Sequence, residues 1–407
     1  MRRLVGAILV VALAPATPAV GQTGPPPTPV PPVGSPSPYP QSLDTPEPSA
    51  RPPRVAAASV ALVDLDSGRL LWERRGGERR PIASLTKIMS VLLALESAEL
   101  DDVVTVSERA TVETGSELGL VPGERIPVED LLYALLLQSS NDGAIALAEH
   151  LGGSVERFVR RMNRRARELG LRDSEFRSPH GLDDGGYSTA RDLAALTTEA
   201  FTHPAFVRIA RTKLRAIPAP SGPPRRIQSR NAMLWLYESS VGVKTGFTSA
   251  AGFCLVAAAE RGDRRFAAVL LGSPEQAFSD AAAVLDHGFF TWRIRRLLEE
   301  GAPLEPVTIG GRDVPVAAGA LIEGLVRRGG GSLLRVLVDS SAGLPVRAGD
   351  VVGEVVALVE GEEAGRAPLV AGADVAEEPA ERALPPWWDE LLDSIASTIP
   401  RWLEALF

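Results

Sequence analysis

The sequence predicts an α/β (α+β) protein, with an antiparallel sheet flanked by helices and a small all-β domain after it. Three observations predict this. Ile88, Met89, Leu92 and Leu95 recur at helical spacing just behind Ser84. Val241–Phe247, Gly252–Ala257 and Arg265–Leu271 read as three consecutive strands, an antiparallel meander. Beyond residue 300 the apolar residues fall in short valine-rich runs punctuated by glycine.

At 407 residues more than one domain is expected, and 45% hydrophobic residues can supply a sizeable core. A net charge of −8 argues against a nucleic-acid partner, which would need a basic field to neutralise phosphates. The basic run Arg157–Arg172 is flanked by Glu156, Glu168 and Asp173 and reads as a solvated helix face.

The N-terminus has the layout of an export signal over residues 1–21. Arg2 and Arg3 precede the short apolar run Leu4–Leu13, and small residues follow through Gly21. The run is too short to span a bilayer comfortably. The expected location is the periplasm or the outer face of the cytoplasmic membrane. Cys254 is the single cysteine, so no intramolecular disulfide can form, and its apolar neighbours Phe253 and Leu255 suggest a buried, inert thiol. Residues 22–54 are rich in proline and poor in large apolar side chains and read as a disordered linker.

Order is expected from Val55. Ser59–Asp64 and Arg69–Glu73 flank Asp66-Ser67-Gly68, a β-hairpin signal. Pro81–Ser90 then reads as the first turns of a buried helix. Ser84 and Lys87 are three apart, so on a helix their side chains can meet. A serine hydroxyl needs a neighbouring base to become a nucleophile, and a desolvated lysine can be that base. The start of a helix also offers N–H groups to an oxyanion. Taken alone, the pair reads more readily as an N-terminal helical serine with a solvated lysine three residues on.

Val103–Val106 reads as a short strand and Val128–Leu137 as a buried helix with Glu129 and Asp130 in its first turn. Gln138–Asp142 is a polar junction before a second helix, Gly143–Leu151. Ser140, Asn141 or Asp142 would cap that helix, and Ser139 and Asn141 can present a hydroxyl and an amide to a cleft; the two readings are compatible. In the meander, Lys244 and Thr245 can bind a carboxylate, and Gly246 lets a ligand backbone lie close to the strand.

After Trp292 the character changes. Residues 300–372 form the β-rich domain, with strands expected at 307–309, 314–316, 334–338, 351–352 and 355–359. Residues 373–384 are an acidic linker. Residues 385–407 read as an amphipathic helix with Trp388, Leu391, Leu392, Ile395 and Trp402 on one face. Its two readings are contact with a membrane surface and docking on protein. Arg401 is its one basic residue, and Pro400 would kink it.

Ser84-x-x-Lys87, Ser139-x-Asn141 and Lys244-Thr245-Gly246, in this order, resemble the motifs of the serine acyl-transferases that bind penicillin, the serine transpeptidase/β-lactamase-like fold. Ser178-Pro179-His180-Gly181-Leu182-Asp183, Tyr187–Leu193, Asn231, Gly242–Thr248 and Ala251–Ala257 are similar to stretches of the D-alanyl-D-alanine carboxypeptidases, the low-molecular-mass penicillin-binding proteins. The resemblance is close over residues 55–291 and looser over 300–372. It implies a catalytic domain at 55–293 acting on peptidoglycan stem peptides and inhibited by β-lactams, with no cofactor and no metal. The four histidines likewise show no metal-ligand spacing.

By the same resemblance Ser84 is the nucleophile, Lys87 its proton acceptor and Ser139 a relay to the departing D-alanine. Asn141 holds the lysine or a substrate amide. Lys244 and Thr245 grip the terminal carboxylate, and the N–H groups of Ser84 and Phe247 form the oxyanion hole. His180 is implied to be a structural loop residue. One departure stands out: Ala277 precedes Phe278 where the family carries an arginine. A D,D-endopeptidase therefore stays open beside the carboxypeptidase. A serine β-lactamase shares the motifs, although Ser139-Ser140-Asn141 lacks the aspartate usual at the middle position of class A enzymes. A non-catalytic cell-wall-binding scaffold is the reading of another class.

Overall fold

The computed structural model describes residues 51–183, 185–274 and 277–377, with Leu43, Thr45, Ser49, Trp388 and residues 390–395. The expected export signal, nearly all of the expected linker at 22–54, and most of the expected acidic linker and C-terminal helix lie outside the described residues. The chain divides between Thr291 and Trp292 into two compact units.

The first unit is built on a five-stranded antiparallel sheet in the order β2-β1-β9-β8-β7. The expected hairpin supplies β1 (Ser59–Asp64) and β2 (Leu70–Arg74), followed by α1 (Lys87–Ser97). Next come β3 (Val103–Thr105), α2 (Glu108–Thr111), β4 (Arg125–Pro127), α3 (Val128–Tyr133), α4 (Asn141–Gly152) and α5 (Val155–Glu168). Then follow α6 (Ala190–Phe201), α7 (Pro204–Ala210), the small hairpin β5 (Leu214–Ile217) and β6 (Arg225–Gln228), and α8 (Met233–Leu236). The meander is β7 (Ser240–Thr248), β8 (Gly252–Arg261) and β9 (Arg264–Ser273), closed by α9 (Ala277–Thr291).

Both faces of the sheet are covered, so its strands read as continuous apolar runs. Ala61, Val63, Val256, Val269 and Leu271 face the main core with Ile88, Met89, Leu92, Leu131 and Leu147 from the helices. The alternating residues Val60, Leu62, Phe266 and Leu270 are equally buried on the other face. There α9 lies close: Phe289 stacks on Phe266 at 4.7 Å between ring centroids. Strand β7 is the sheet edge nearest in order to β8, with one side unpaired by any other strand of this sheet.

Two local departures from the expected helices matter for the site. Between α3 and α4 the chain widens into a π-helical stretch, Ala134–Gln138, where a single helix to Leu137 was expected. The Ser139 N–H closes back on the Ala134 carbonyl, and Ser139 itself takes a left-handed conformation, φ +68°. Helix α4 then starts at Asn141, two residues earlier than expected, because the Ser140 hydroxyl caps it by accepting the Gly143 N–H.

The second unit holds the sheet β11-β12-β16-β15-β14 and the pair β10-β13. Their ranges are β10 (Trp292–Leu298), β11 (Pro303–Ile309), β12 (Arg312–Ala318), β13 (Ile322–Arg327), β14 (Ser332–Val338), β15 (Val351–Val359) and β16 (Glu362–Ala371). The all-β expectation holds, but β10, β13 and β16 were not anticipated. Their sequences, WRIRRLL, IEGLVR and EEAGRAPLVA, are diluted by charge, glycine or proline. The two expected strands at 351–352 and 355–359 are one strand, β15, with a register shift at Val351/Gly353.

Candidate active site

Ser84 lies in a 3-10 turn, Ala83–Thr86, and α1 begins at Lys87. The expectation of an α-helical first turn is corrected here. Ala83 sits at φ +47°, which no α-helix accommodates, so the chain tightens before it becomes helical. Two glycines hold this turn. A Cβ on Gly181 would lie 2.0 Å from the Ala83 carbonyl oxygen, and one on Gly246 would lie 2.9 Å from the Ser84 nitrogen. Gly246 therefore lets β7 close against the Ser84 turn.

The three motifs meet around Lys87, which is wholly buried. Its Nζ donates to Ser84 Oγ at 3.0 Å, to Asn141 Oδ1 at 2.8 Å and to the His180 carbonyl at 3.1 Å. These use all three donors of an ammonium. Burial first, and then the Arg230 charge, lower its pKa to about 7, while Asp142 and Glu113 pull the other way. Near neutrality this lysine can lose a proton and accept one from Ser84.

Asn141 is fixed at both ends. Its Nδ2 donates to the Thr114 carbonyl at 2.7 Å and its backbone N–H to the Ser116 carbonyl at 2.7 Å, which aims Oδ1 at Lys87. On the edge strand, Lys244 is also wholly buried, and its Nζ donates to its neighbour's carbonyl, Thr245 O, at 2.7 Å. Burial, then the charges of Lys87 and Arg230, hold its pKa well below the ordinary lysine value. Thr245 is buried beside it and Phe247 is exposed.

A hydroxyl on a buried, pKa-lowered lysine, beside an unpaired strand edge, is an acyl-transfer site in geometry. The family model described as D-alanyl-D-alanine carboxypeptidase matches residues 47–275, more than half of the chain. The chain belongs to the D-alanyl-D-alanine carboxypeptidase family. D-alanyl-D-alanine carboxypeptidase DacC of Escherichia coli (strain K12) is 33% identical, over 81% of this chain and 87% of that protein. DacF of Bacillus subtilis (strain 168) is 29% identical over 78% of this chain and 86% of that one. Among solved structures, penicillin binding protein 5 from Haemophilus influenzae matches with a TM-score of 0.65 at 30% identity, covering 80% of this chain and 99% of that one.

Other residues of this carboxypeptidase-family site divide into those the sequence reading anticipated and those it missed. Ser139 is buried at the end of the π-helical stretch, and among the described residues its hydroxyl makes no hydrogen bond to Ser84 or Lys87. The His180 ring accepts the Leu182 N–H on Nδ1 at 3.1 Å, and burial and the Lys87 charge lower its pKa to about 3. Its Nε2 lies 3.5 Å from Glu113 Oε1. Cys254 is fully buried and its thiol pKa is raised to about 11 by burial, the inert state expected. Ala277 is buried at the start of α9.

Arg230 was missed. It donates to Ser116 Oγ at 2.6 Å and acts on both lysines as a third cation. No motif marks it, because it follows the strand pair β5–β6 and reaches the site through the fold. Asp142 was read as a capping candidate and does more. Its carboxylate accepts the N–H groups of Leu118, Gly119, Leu120 and Gly143 at 2.8–3.1 Å and the Ser140 hydroxyl. Among the described residues no group of histidine, cysteine and carboxylate side chains is suited to a metal ion.

Proposed function

We propose that this chain, a serine-type D-alanyl-D-alanine carboxypeptidase, removes the terminal D-alanine from peptidoglycan stem peptides through an acyl-enzyme on Ser84, and that penicillins acylate the same hydroxyl. The observation that carries this reading is the buried Lys87 amine at 3.0 Å from Ser84 Oγ, with its proton affinity lowered to near neutrality.

Neutral Lys87 takes the Ser84 proton as Oγ bonds to the carbonyl carbon of the penultimate D-alanine. The N–H groups of Ser84 and Phe247 hold the oxyanion. The C–N bond breaks, and the departing amine takes the proton, relayed by Ser139. Water then adds to the ester carbonyl, Lys87 accepts its proton, and Ser84 is released with the shortened peptide. Lys244, Thr245 and Arg230 bind the terminal carboxylate. Arg230, whose charge acts on both lysines, adds to the positive field that receives it.

The test is D-alanine release from a soluble pentapeptide, beside covalent labelling by a penicillin followed by intact mass. Cleavage of a cross-linked muropeptide without pentapeptide turnover would indicate the endopeptidase. Drug hydrolysis without an adduct would indicate the β-lactamase, and neither event would indicate the scaffold. The base is the deprotonated lysine, so kcat/KM for acylation is expected to rise with pH and level off above an apparent pKa of about 7. A profile flat from about pH 5 to 9 would remove Lys87 from the role of base.

Action on peptidoglycan sets the enzyme outside the cytoplasm. Export by residues 1–21 to the periplasm or the outer membrane face is part of the same proposal. Among the described residues no helix is long and apolar enough to cross a membrane. Leu391, Leu392 and Ile395 lie in helical residues and are exposed, which supports surface contact with a bilayer by residues 385–407. Co-sedimentation with lipid vesicles is expected for the full chain and not for a chain ending at 384; equal sedimentation of both would favour protein docking.

A further inference from the structure

Helix α5 carries six arginines in 14 residues, and the structure sorts them. Arg161 and Arg165 turn inward. Arg161 donates to the Leu151 carbonyl, and Arg165 bridges Glu96 at 2.8 Å and Glu199 at 2.6 Å. Arg157, Arg160, Arg164 and Arg167 face solvent at spacings of three or four residues, one row along the helix. Arg157 touches the Gly153 carbonyl at 3.2 Å, and Arg164 has Glu168 at 3.8 Å with both side chains more than half exposed. Among the described residues no acidic partner is found for Arg160 or Arg167. At about 1.5 Å of rise per residue the row is roughly 15 Å long.

The row lies on the first unit, where basic and acidic residues balance; the acidic excess of the chain, net −8, falls in the second unit, so the row faces no net negative charge on its own unit. The N-terminal part of the same helix, though none of the four arginines, borders a cavity that reaches the loop holding Lys87. Val155 and Val159 of α5 line this cavity, of about 340 Å³, together with Glu113, Ser178, Pro179 and His180. The last of these holds Lys87 through its carbonyl. The row is not built to enter a bilayer: Val155, Phe158, Met162 and Ala166, the apolar face of α5, are buried in the core.

We propose that the outward arginine row of α5 docks polymeric peptidoglycan, pairing its guanidinium groups with the free carboxylates of neighbouring stem peptides while one stem occupies the Ser84 site. The inference rests on the D,D-peptidase reading. Guanidinium pairs with carboxylate bidentately, and a row of such pairs suits a substrate whose carboxylates recur along a strand. The row gives retention on the polymer and takes no part in bond breaking.

The experiment compares the full chain with the triple variant Arg160→Gln, Arg164→Gln, Arg167→Gln. Three readouts are taken: sedimentation with purified peptidoglycan sacculi, D-alanine release from those sacculi, and D-alanine release from soluble pentapeptide. Retention on sacculi is expected to fall about tenfold or more in the variant, and in the parent to weaken as salt rises from about 50 to 300 mM. Release from sacculi falls with it, while pentapeptide turnover stays within about twofold, which also reports that the variant is folded. Unchanged retention would overturn the proposal, as would a variant that loses binding to phosphatidylglycerol vesicles but keeps it on sacculi. A parent without pentapeptide turnover would instead sink the peptidase reading, whatever the row does on sacculi.

Discussion

Replacing Ser84 by alanine is expected to abolish D-alanine release and covalent capture of penicillin while leaving the fold intact. Removal of the hydroxyl costs Lys87 one of three acceptors and leaves Asn141 Oδ1 and the His180 carbonyl in place. The Ser84 turn itself is held by backbone contacts with Gly181 and Gly246, which the substitution does not touch. Loss of a serine nucleophile from a working constellation lowers turnover by roughly 10⁴-fold or more. Intact mass after incubation with a penicillin reads the effect directly, with an adduct on the parent chain and none on the variant. An adduct of equal yield on the variant would move the nucleophile to another hydroxyl.

The largest effect on stability is expected at Asp142. Its carboxylate is buried and accepts four backbone N–H groups as well as the Ser140 hydroxyl. Three of those donors belong to Leu118–Leu120, the loop that continues from Ser116, and the Ser116 carbonyl positions the Asn141 backbone. Asp142→Ala leaves several buried donors without acceptors, each costing about 1–3 kcal/mol before relaxation. A net loss of about 3 kcal/mol or more, a fall in Tm of roughly 6–12 °C, is expected by calorimetry of the catalytic unit. Activity at a temperature where the variant is folded should fall too, because Asn141 loses its aim. A Tm within about 2 °C of the parent would show that the loop is held by other means.

Much of this was legible because motif and fold agree. The spacing of Ser84 and Lys87 forecast a contact, and the contact exists, although through a 3-10 turn and not an α-helix. The meander was readable because β7, β8 and β9 are joined by tight turns and buried on both faces. What sequence could not deliver are partners set by long-range packing. Arg230 reaches the two lysines from a segment with no pattern of its own, and the His180 carbonyl acts through backbone, which carries no residue identity. The π-helical stretch was hidden because Ala134-Leu135-Leu136-Leu137 is apolar throughout and fits any helical pitch. In the second unit β10 escaped notice because Arg293, Arg295 and Arg296 break its apolar run and residues 293–296 are all exposed, so no buried face alternates along it.

The paired glycines at 181 and 246 bear on how the pocket can vary. Each presses backbone against the turn that carries Ser84, and a side chain on either would have to displace main chain. The turn that carries Ser84 is thus backed by main chain at both glycines, and neither position takes a side chain without moving it. Adjustment to ligands of different bulk is expected instead at exposed positions such as Phe247, which is 40% exposed on the edge strand and can change size without touching the Ser84 turn. For inhibitor chemistry the turn is the constant and the exposed edge the variable.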